Sequence, residues 1–564
     1  MNSRKQFVLL CSVIFLTALG VRFLTWQDNY RDIWKVQSSV SQGYKDSARQ
    51  LASGDFKTFV SDINHFGHPP GYPILLAGIF KVAGESDTAI QVVQIVFDAL
   101  AVVLLFMIAL ELVPFAVAVI AALLAAISPQ FAYFSVLLLP DSLVVVPILA
   151  AIYFLVRARR DPRLINFFIA GALIGVSCWL RANSLLLLLF LAATAALLVP
   201  REKRLRAAAA VVAGAVLMIA PITIKNAIVY RAFVPLSLGA GQTLAEGIAD
   251  YDHANRFNIP NTDLGLMRQE AEWYGNPEYA QLLFGRDGIK RDRMRIARSW
   301  SVIRSHPFWF TGVVIRRGIA STRLEPVPVL APESPVSRDL MSGKTLYTTQ
   351  GWGRIEADDR KYGTQRFTML MDVATGTDYV FHVPVKLEQG RVELKITTNS
   401  HKVLGSQGVD LEEGVAPQDQ PVRNLAIPFP SANESQVLLK VANYAAPNSV
   451  VTVGPGKLLE LGPSSMQWMR YVRIPLGWIQ WLFKTAVFVP LVVIGLILMA
   501  QKTDWRTMAI ILTVPAYYLI VQSILHTERR YVYVIHFFFL LPAAWTLRSL
   551  FTFLRHAKTG NAKR

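Results

Sequence analysis

Runs of about twenty apolar residues recur along this chain, and that feature constrains its fold more than any other. Hydrocarbon offers the backbone no hydrogen-bond partner, so such runs cross a bilayer as helices that satisfy their own amides. The runs fall at about 7–24, 89–111, 115–134, 138–156, 164–180, 184–199, 207–226, 476–500, 507–525 and 532–552, which predicts roughly ten spans. Of the 564 residues, 53% are hydrophobic and 17% charged, against about 25% charged in soluble domains. A secreted enzyme, a disordered scaffold and a soluble nucleic-acid binder are excluded. The first run reads as an uncleaved span rather than a secretory signal, because it is long and no small-residue cleavage site follows it. The two cysteines, Cys11 and Cys178, both sit inside apolar runs, so no disulfide framework or cysteine metal site is expected.

Positive charge orients the spans. Arg157, Arg159, Arg160 and Arg163, then Arg201, Lys203, Arg204 and Arg206, then Lys502 and Arg506, all fall on the side that also holds Arg4 and Lys5. Lys and Arg accumulate in cytoplasmic loops, so both termini are expected in the cytoplasm. Three long segments, 25–69, 226–326 and 327–472, then lie on the opposite face. The third alternates apolar and polar residues at 379–387, 391–397 and 436–441, which predicts a β-sandwich. The expected organisation is a membrane module with outer loops over 1–326, a β-rich extracytoplasmic domain over 327–472, and C-terminal membrane helices with a tail over 473–564. The β-rich segment is either a structural cap or a binding domain.

The polar motifs gather on the outer side. Tyr44, Ala48, Leu51, Gly54 and Asp55 form Y-x-x-x-A-x-x-L-x-x-G-D, and His68 opens H-P-P-G-Y-P-I-L-L-A. The apolar stretch after Pro69 and Pro70 ends near Val82 and is too short to span, so it should lie at the interface or dip into the bundle. Further on stand Ser128-Pro129-Gln130, Leu139-Pro140-Asp141, Gly175 through Arg181, Pro221 through Asn226, and His526-Thr-Glu-Arg-Arg-Tyr531. In this order the motifs resemble the GT-C membrane glycosyltransferases, closest in pattern to the protein O-mannosyltransferase-like and lipid A aminoarabinose transferase-like families, glycosyltransferase families 39 and 83. The resemblance covers about 1–320 and 475–555 and leaves the β-rich segment out.

The resemblance implies a polytopic α-helical fold of GT-C type. It implies an inverting enzyme that takes a sugar from a polyprenyl-phosphate donor and passes it to a hydroxyl of a lipid, polysaccharide or protein. It places the chain in the bilayer of a bacterial inner (plasma) membrane, with the active site on the extracytoplasmic face and no nucleic-acid partner. An attacking hydroxyl needs a carboxylate to take its proton. Asp28, at the end of the first span, is the favoured base, with Asp32, Asp141 and Asp46 as alternatives; relatives carry an acidic residue about four positions before the Tyr44 motif, where this chain has Val40 and Ser41. The phosphate leaving group calls for cations or other hydrogen-bonding groups. The candidates are His65, His68, Arg181, Lys225, His526, Arg529, Arg530 and Tyr531. His68 stands where aminoarabinose transferase-like enzymes carry a lysine, and Lys225 where an arginine is common. Each has a structural alternative: a packed loop histidine, an interfacial arginine, or an ion pair within the fold. No cofactor is expected; a metal held by Asp62, His65 and His68 is a weaker reading, because Pro69 and Pro70 interrupt any ligand helix. The basic stretch from Arg286 to Arg298 is either a solvated face or a contact for an anionic acceptor or lipid headgroup. A transporter or flippase of lipid-linked sugars is the rival class, although paired halves and broken midplane helices are not evident.

Overall fold

The computed structural model describes residues 4–29, 39–62, 66–285, 287–325, 344–348, 351–360, 362–412, 414–444, 446–466 and 468–561. It divides into two compact units: Met1–Trp26 with Ile33–Val327 and Leu482–Arg564, and Gln27–Asp32 with Pro328–Trp481.

The first unit is a helical bundle. Among the described residues, seven helices are long and apolar enough to cross a membrane, including Arg4–Gln27, Asp87–Leu112, Asp141–Arg160 and Arg201–Tyr230. The chain is an integral membrane protein of polytopic helical type. Three other expected crossings fall on shorter helices. The first is a pair, Phe115–Ile127 and Pro129–Val136, bent by 47°. The bend has a local cause: Pro129 stands at the start of a new helix and the Ser128 hydroxyl caps it by accepting from the Phe131 N–H. The other two are Leu164–Leu180 and Ala182–Leu198. The expected span 476–500 begins instead at Thr485, because Trp468–Gln480 forms a separate helix.

Two ends of the bundle can be told apart. At one, Arg160 pairs with Glu111 at 2.6 Å, and Arg159 bonds Thr507 and Asp504 at 2.7 and 3.0 Å. At the other, Asp141 at the start of Asp141–Arg160 meets Arg181 at the end of Leu164–Leu180. These two helices therefore run antiparallel, and Leu164–Leu180 traverses the bundle despite its length. Inside the spans, Arg22 and Asp98 are fully buried and bonded at 2.6 Å, with Arg22 also donating to the Ala126 carbonyl at 2.7 Å. Each partner of this buried pair has a hydrogen bond, while Asp98 Oδ1 has none among the described residues.

Helices Leu164–Leu180 and Arg204–Tyr230 pack backbone to backbone. A Cβ added at Gly171 would overlap the Val211 carbonyl, one at Gly175 would press on Ala215 and Met218, and one at Gly214 would overlap the Phe168 carbonyl. Without a hydrophobic drive between helices in lipid, close approach through small residues supplies the packing. Matching residues advance together along both helices, so the two run parallel, and the Trp179 indole locks them by donating to the Met218 carbonyl at 2.7 Å.

The second unit is a two-sheet antiparallel sandwich. Thr377–Gln389 is its longest strand; it pairs with Arg423–Pro430 along one edge and with Lys457–Pro463 and Val450–Val453 along the other. The second sheet orders Tyr362–Asp372, Gln436–Tyr444, Arg391–Thr397 and Val403–Asp410. Alternate residues such as Val392, Leu394 and Ile396 face Phe381, Val383 and Ile427 in one core. The alternating stretches at 379–387, 391–397 and 436–441 are thus strands of a sandwich.

Candidate active site

The site forms at the bundle end where Asp141 meets Arg181. Its scaffold begins with the His68-Pro-Pro-Gly turn. Helix Gly71–Ala83 follows Pro70 and is 13 residues long, about 20 Å, too short to cross. A Cβ at Gly71 would strike the Trp179 backbone, so only glycine lets this turn seat against the helix that ends at Arg181. From the next position the buried Tyr72 hydroxyl donates to Gln94 Oε1 at 2.8 Å. Gln94 Nε2 in turn donates to the Ser135 and Leu137 carbonyls at 3.1 and 2.5 Å, and Gln91 holds the Val136 carbonyl at 2.8 Å. Two glutamines inside a span thereby fix the turn that delivers Asp141. The Trp26 indole, near the end of the first helix, donates to Gln91 Oε1 at 3.0 Å.

Arg181 Nη2 meets Asp141 Oδ2 at 2.6 Å, with the Asp141 side chain 3% exposed and that of Arg181 14%. Burial opposes the charge on Arg181, but Asp141, Tyr44 and Tyr531 outweigh it and raise its pKa, so it is a fixed cation. Its guanidinium lies 4.9 Å from the centroid of the Tyr531 ring, and that of Arg530 lies 5.1 Å from it. One aromatic ring thus holds two cations close together. Arg530 is in turn held by Glu528, with Nη2 to Oε1 at 2.7 Å. Tyr44 completes the group. Its ring packs on His68 and Tyr72 at 5.2 and 5.1 Å between centroids, and its electrostatic neighbours are Arg181, Asp141, Tyr531 and Arg530. Burial first, then Asp141, pushes its phenol up to about 12 against the pull of Arg181, so it stays a hydrogen-bond donor.

Two donors here end without an acceptor among the described residues, the buried Tyr44 hydroxyl and Arg181 Nε, whereas Arg530 Nε pairs with Glu528 Oε2 at 2.7 Å. Buried donors are nearly always satisfied. Two unsatisfied donors therefore stand beside one pair of guanidiniums.

The other candidates fall in several separate places. His68 reaches this centre through Tyr44. Arg529 turns away from its neighbour, pairing with Glu325 at 3.4 Å on the wall of a cavity of about 280 Å³ shared with Asp250, Arg317 and Thr527. His526 belongs to the same side: its Nδ1 lies 2.8 Å from Asp250 Oδ2. Lys225 is not brought to the arginine pair; its Nζ bonds the Tyr230 hydroxyl at 3.0 Å, near Asp62. Asp46 is an exposed partner of Arg49. Asp28 sits in the last turn of helix Arg4–Asn29, two residues beyond Trp26. Asp32 and His65 lie outside the described residues. Asp62 accepts from Ser47 at 2.6 Å, and among the described residues no cluster of three potential metal ligands forms.

Tyr44, Glu325, Asp250 and Arg317 were not among the residues singled out for chemistry. For Tyr44 a signal existed: Tyr44 and Ala48, one helical turn apart, are both buried on one face of helix Ser39–Ala52.

A polytopic helical membrane protein with an added β-sandwich is the class these features define. The protein-family model described as dolichyl-phosphate-mannose-protein mannosyltransferase matches residues 67–224, which include His68, Asp141 and Arg181. Over this part the chain is similar to that glycosyltransferase family. Among solved structures, the cryo-EM structure of the arabinosyltransferase EmbB from Mycobacterium smegmatis is similar at 12% identity and a TM-score of 0.25, over 79% of this chain and 64% of that one. This chain therefore spans under two thirds of that protein's length. No curated protein sequence matches.

Proposed function

We propose that this protein is a membrane glycosyltransferase that moves a sugar from a polyprenyl-phosphate donor to a hydroxyl of a lipid, polysaccharide or protein. The reading places the reaction on the extracytoplasmic face of a bacterial inner membrane. The observation that carries it is the pair of orphaned donors, Tyr44 Oη and Arg181 Nε beside Arg530 on the Tyr531 ring. A phosphate linking a sugar to a prenyl chain meets both needs of this place: it accepts the orphaned donors, and its lipid can remain in the bilayer. An apolar groove of about 370 Å³ along the first span, with Leu16, Phe23 and Trp26 facing Val92, is suited to such a chain.

In this reading the acceptor oxygen attacks the anomeric carbon as the bond from that carbon to the phosphate oxygen breaks, inverting the centre. The acceptor proton passes to a carboxylate, and the electron pair leaves on polyprenyl phosphate. Arg181, Arg530 and Tyr44 stabilise the charge growing there, so no general acid is needed. Asp28 is assigned the base, with Asp32 the alternative. Asp141 is assigned to positioning Arg181, since its carboxylate is committed to that guanidinium. The transporter alternative has less support, because Arg22 and Asp98, fully buried within the spans, bond to each other.

The test is release of polyprenyl phosphate by purified protein from a panel of polyprenyl-phosphate sugars, with membrane glycolipid as acceptor. Asp28→Asn should fold normally and lose about 10²-fold or more in turnover. Absence of release with every donor, from wild-type protein that binds them, would reject the enzymatic reading. Full turnover by Asp28→Asn beside an inactive Asp32→Asn would move the base.

A further inference from the structure

The basic stretch after Arg286 resolves into two sets of cations. Helix Gly288–Ser305 turns Arg291 and Arg295 inward, where both are buried and clamp Glu270 at 2.6 Å. Arg298 is spent on Gln269 and the Asn258 carbonyl at 2.9 and 2.7 Å. Lys290 and Arg293, one turn apart, are exposed and make no ion pair among the described residues. Like charges at this spacing repel, so an anion between them is stabilising.

These two side chains line a cavity of about 580 Å³ with Phe66, Tyr230 and Asp287. The Phe66 and Tyr230 rings pack at 4.0 Å between centroids. Tyr230 is the last residue of the 27-residue helix Arg204–Tyr230, about 40 Å long. A helix of that length crosses the hydrocarbon and ends among the headgroups, where tyrosine prefers to sit. The cavity therefore opens at headgroup depth, with Phe233, 73% exposed, close by in the chain. Asp287 already accepts a bond from the Tyr279 hydroxyl at 2.8 Å and leaves one negative charge on the wall. That charge favours a singly charged anion over a doubly charged one.

We propose that this cavity holds the phosphodiester headgroup of an anionic membrane lipid, gripped by Lys290 and Arg293 above the Phe66–Tyr230 floor. The inference does not depend on the glycosyl-transfer reading. An arginine fork and a lysine suit phosphate oxygens, and the bilayer supplies phosphodiesters at this depth.

The experiment uses full-length protein in nanodiscs of phosphatidylcholine with phosphatidylglycerol, released for native mass spectrometry. Wild type should retain phosphatidylglycerol, and K290Q/R293Q should retain about tenfold less or lower still at an unchanged thermal midpoint. R304Q, which removes a charge from the other end of the same helix, should behave as wild type. Equal retention by wild type and K290Q/R293Q overturns the site. Equal loss in R304Q reduces it to general surface charge and also overturns it. Displacement of the lipid by millimolar sn-glycerol 3-phosphate would assign the cavity to a soluble phosphate and refute the lipid.

Discussion

The ion pair between Arg181 and Asp141 can be taken apart so that its structural and ligand-binding roles separate. Removing only the cation, as Arg181→Gln, leaves Asp141 with its side chain 3% exposed and its 2.6 Å partner gone. Breaking a pair this deeply buried costs about 3–5 kcal/mol, because one charge is left uncompensated. Replacing both, as Arg181→Gln with Asp141→Asn, removes both charges and allows an amide–amide hydrogen bond, so most of that cost should be recovered. Thermal unfolding in detergent should therefore rank the double variant close to wild type and well above Arg181→Gln. Donor binding should not recover. If Arg181 bonds the phosphate, its loss removes a charge-assisted hydrogen bond of about 1.5–3 kcal/mol, or about 10- to 150-fold in affinity. Asp141→Asn alone should keep the cation and reduce turnover far less than Asp28→Asn. Wild-type donor affinity in a stable double variant would refute the phosphate role of Arg181. A loss of 10²-fold in turnover by Asp141→Asn with donor binding intact would make Asp141 the base.

Two further outcomes are expected. Glu246 is pushed up to about 9 by burial, then by its hydrogen bond and repulsion with Asp263, so the folded protein holds a proton that an unfolded chain releases near its ordinary 4.5. Its stabilising contribution is complete below pH 4.5 and is lost as pH rises towards 9, so the thermal midpoint should fall across that window in wild type and much less in Glu246→Gln; equal slopes would refute it. Arg22→Leu should strand the fully buried Asp98 and lose about 3–5 kcal/mol, seen as poor membrane yield, while Arg22→Leu with Asp98→Leu should restore yield; a well-expressed single variant would contradict the pairing.

Local chemistry was readable from the chain where one element decides it alone. The apolar runs, the helix after Pro69 and Pro70 and the period-two strands all follow from residues adjacent in sequence, whereas the bend at Ser128-Pro129 cuts a run that reads as one span over 115–134. What escaped depended on the facing of side chains set by tertiary packing. Arg529 and Arg530 are consecutive, yet about 100° of helical rotation sends one to Glu325 and the other to the Tyr531 ring. The basic helix looked uniform because its phase relative to Glu270 is set by another segment. Tyr44 entered as a motif letter, since an unsatisfied hydroxyl is visible only once its surroundings exist. Gly171 and Gly175 form a small-xxx-small spacing whose partner, Gly214, lies on the far side of the intervening helix Leu187–Leu198.

That glycine seam has a mechanical consequence. One helix of the pair ends at Arg181, and the other runs on to Tyr230, the floor of the second cavity. Backbones in direct contact leave no compressible side-chain layer between them, so the two helices act as a single strut. A group held at Arg181 and a group held over Tyr230 are then kept at a constant offset along that strut, like two marks on a ruler. Sliding one helix past the other would drive a carbonyl into a glycine, so the seam resists that motion.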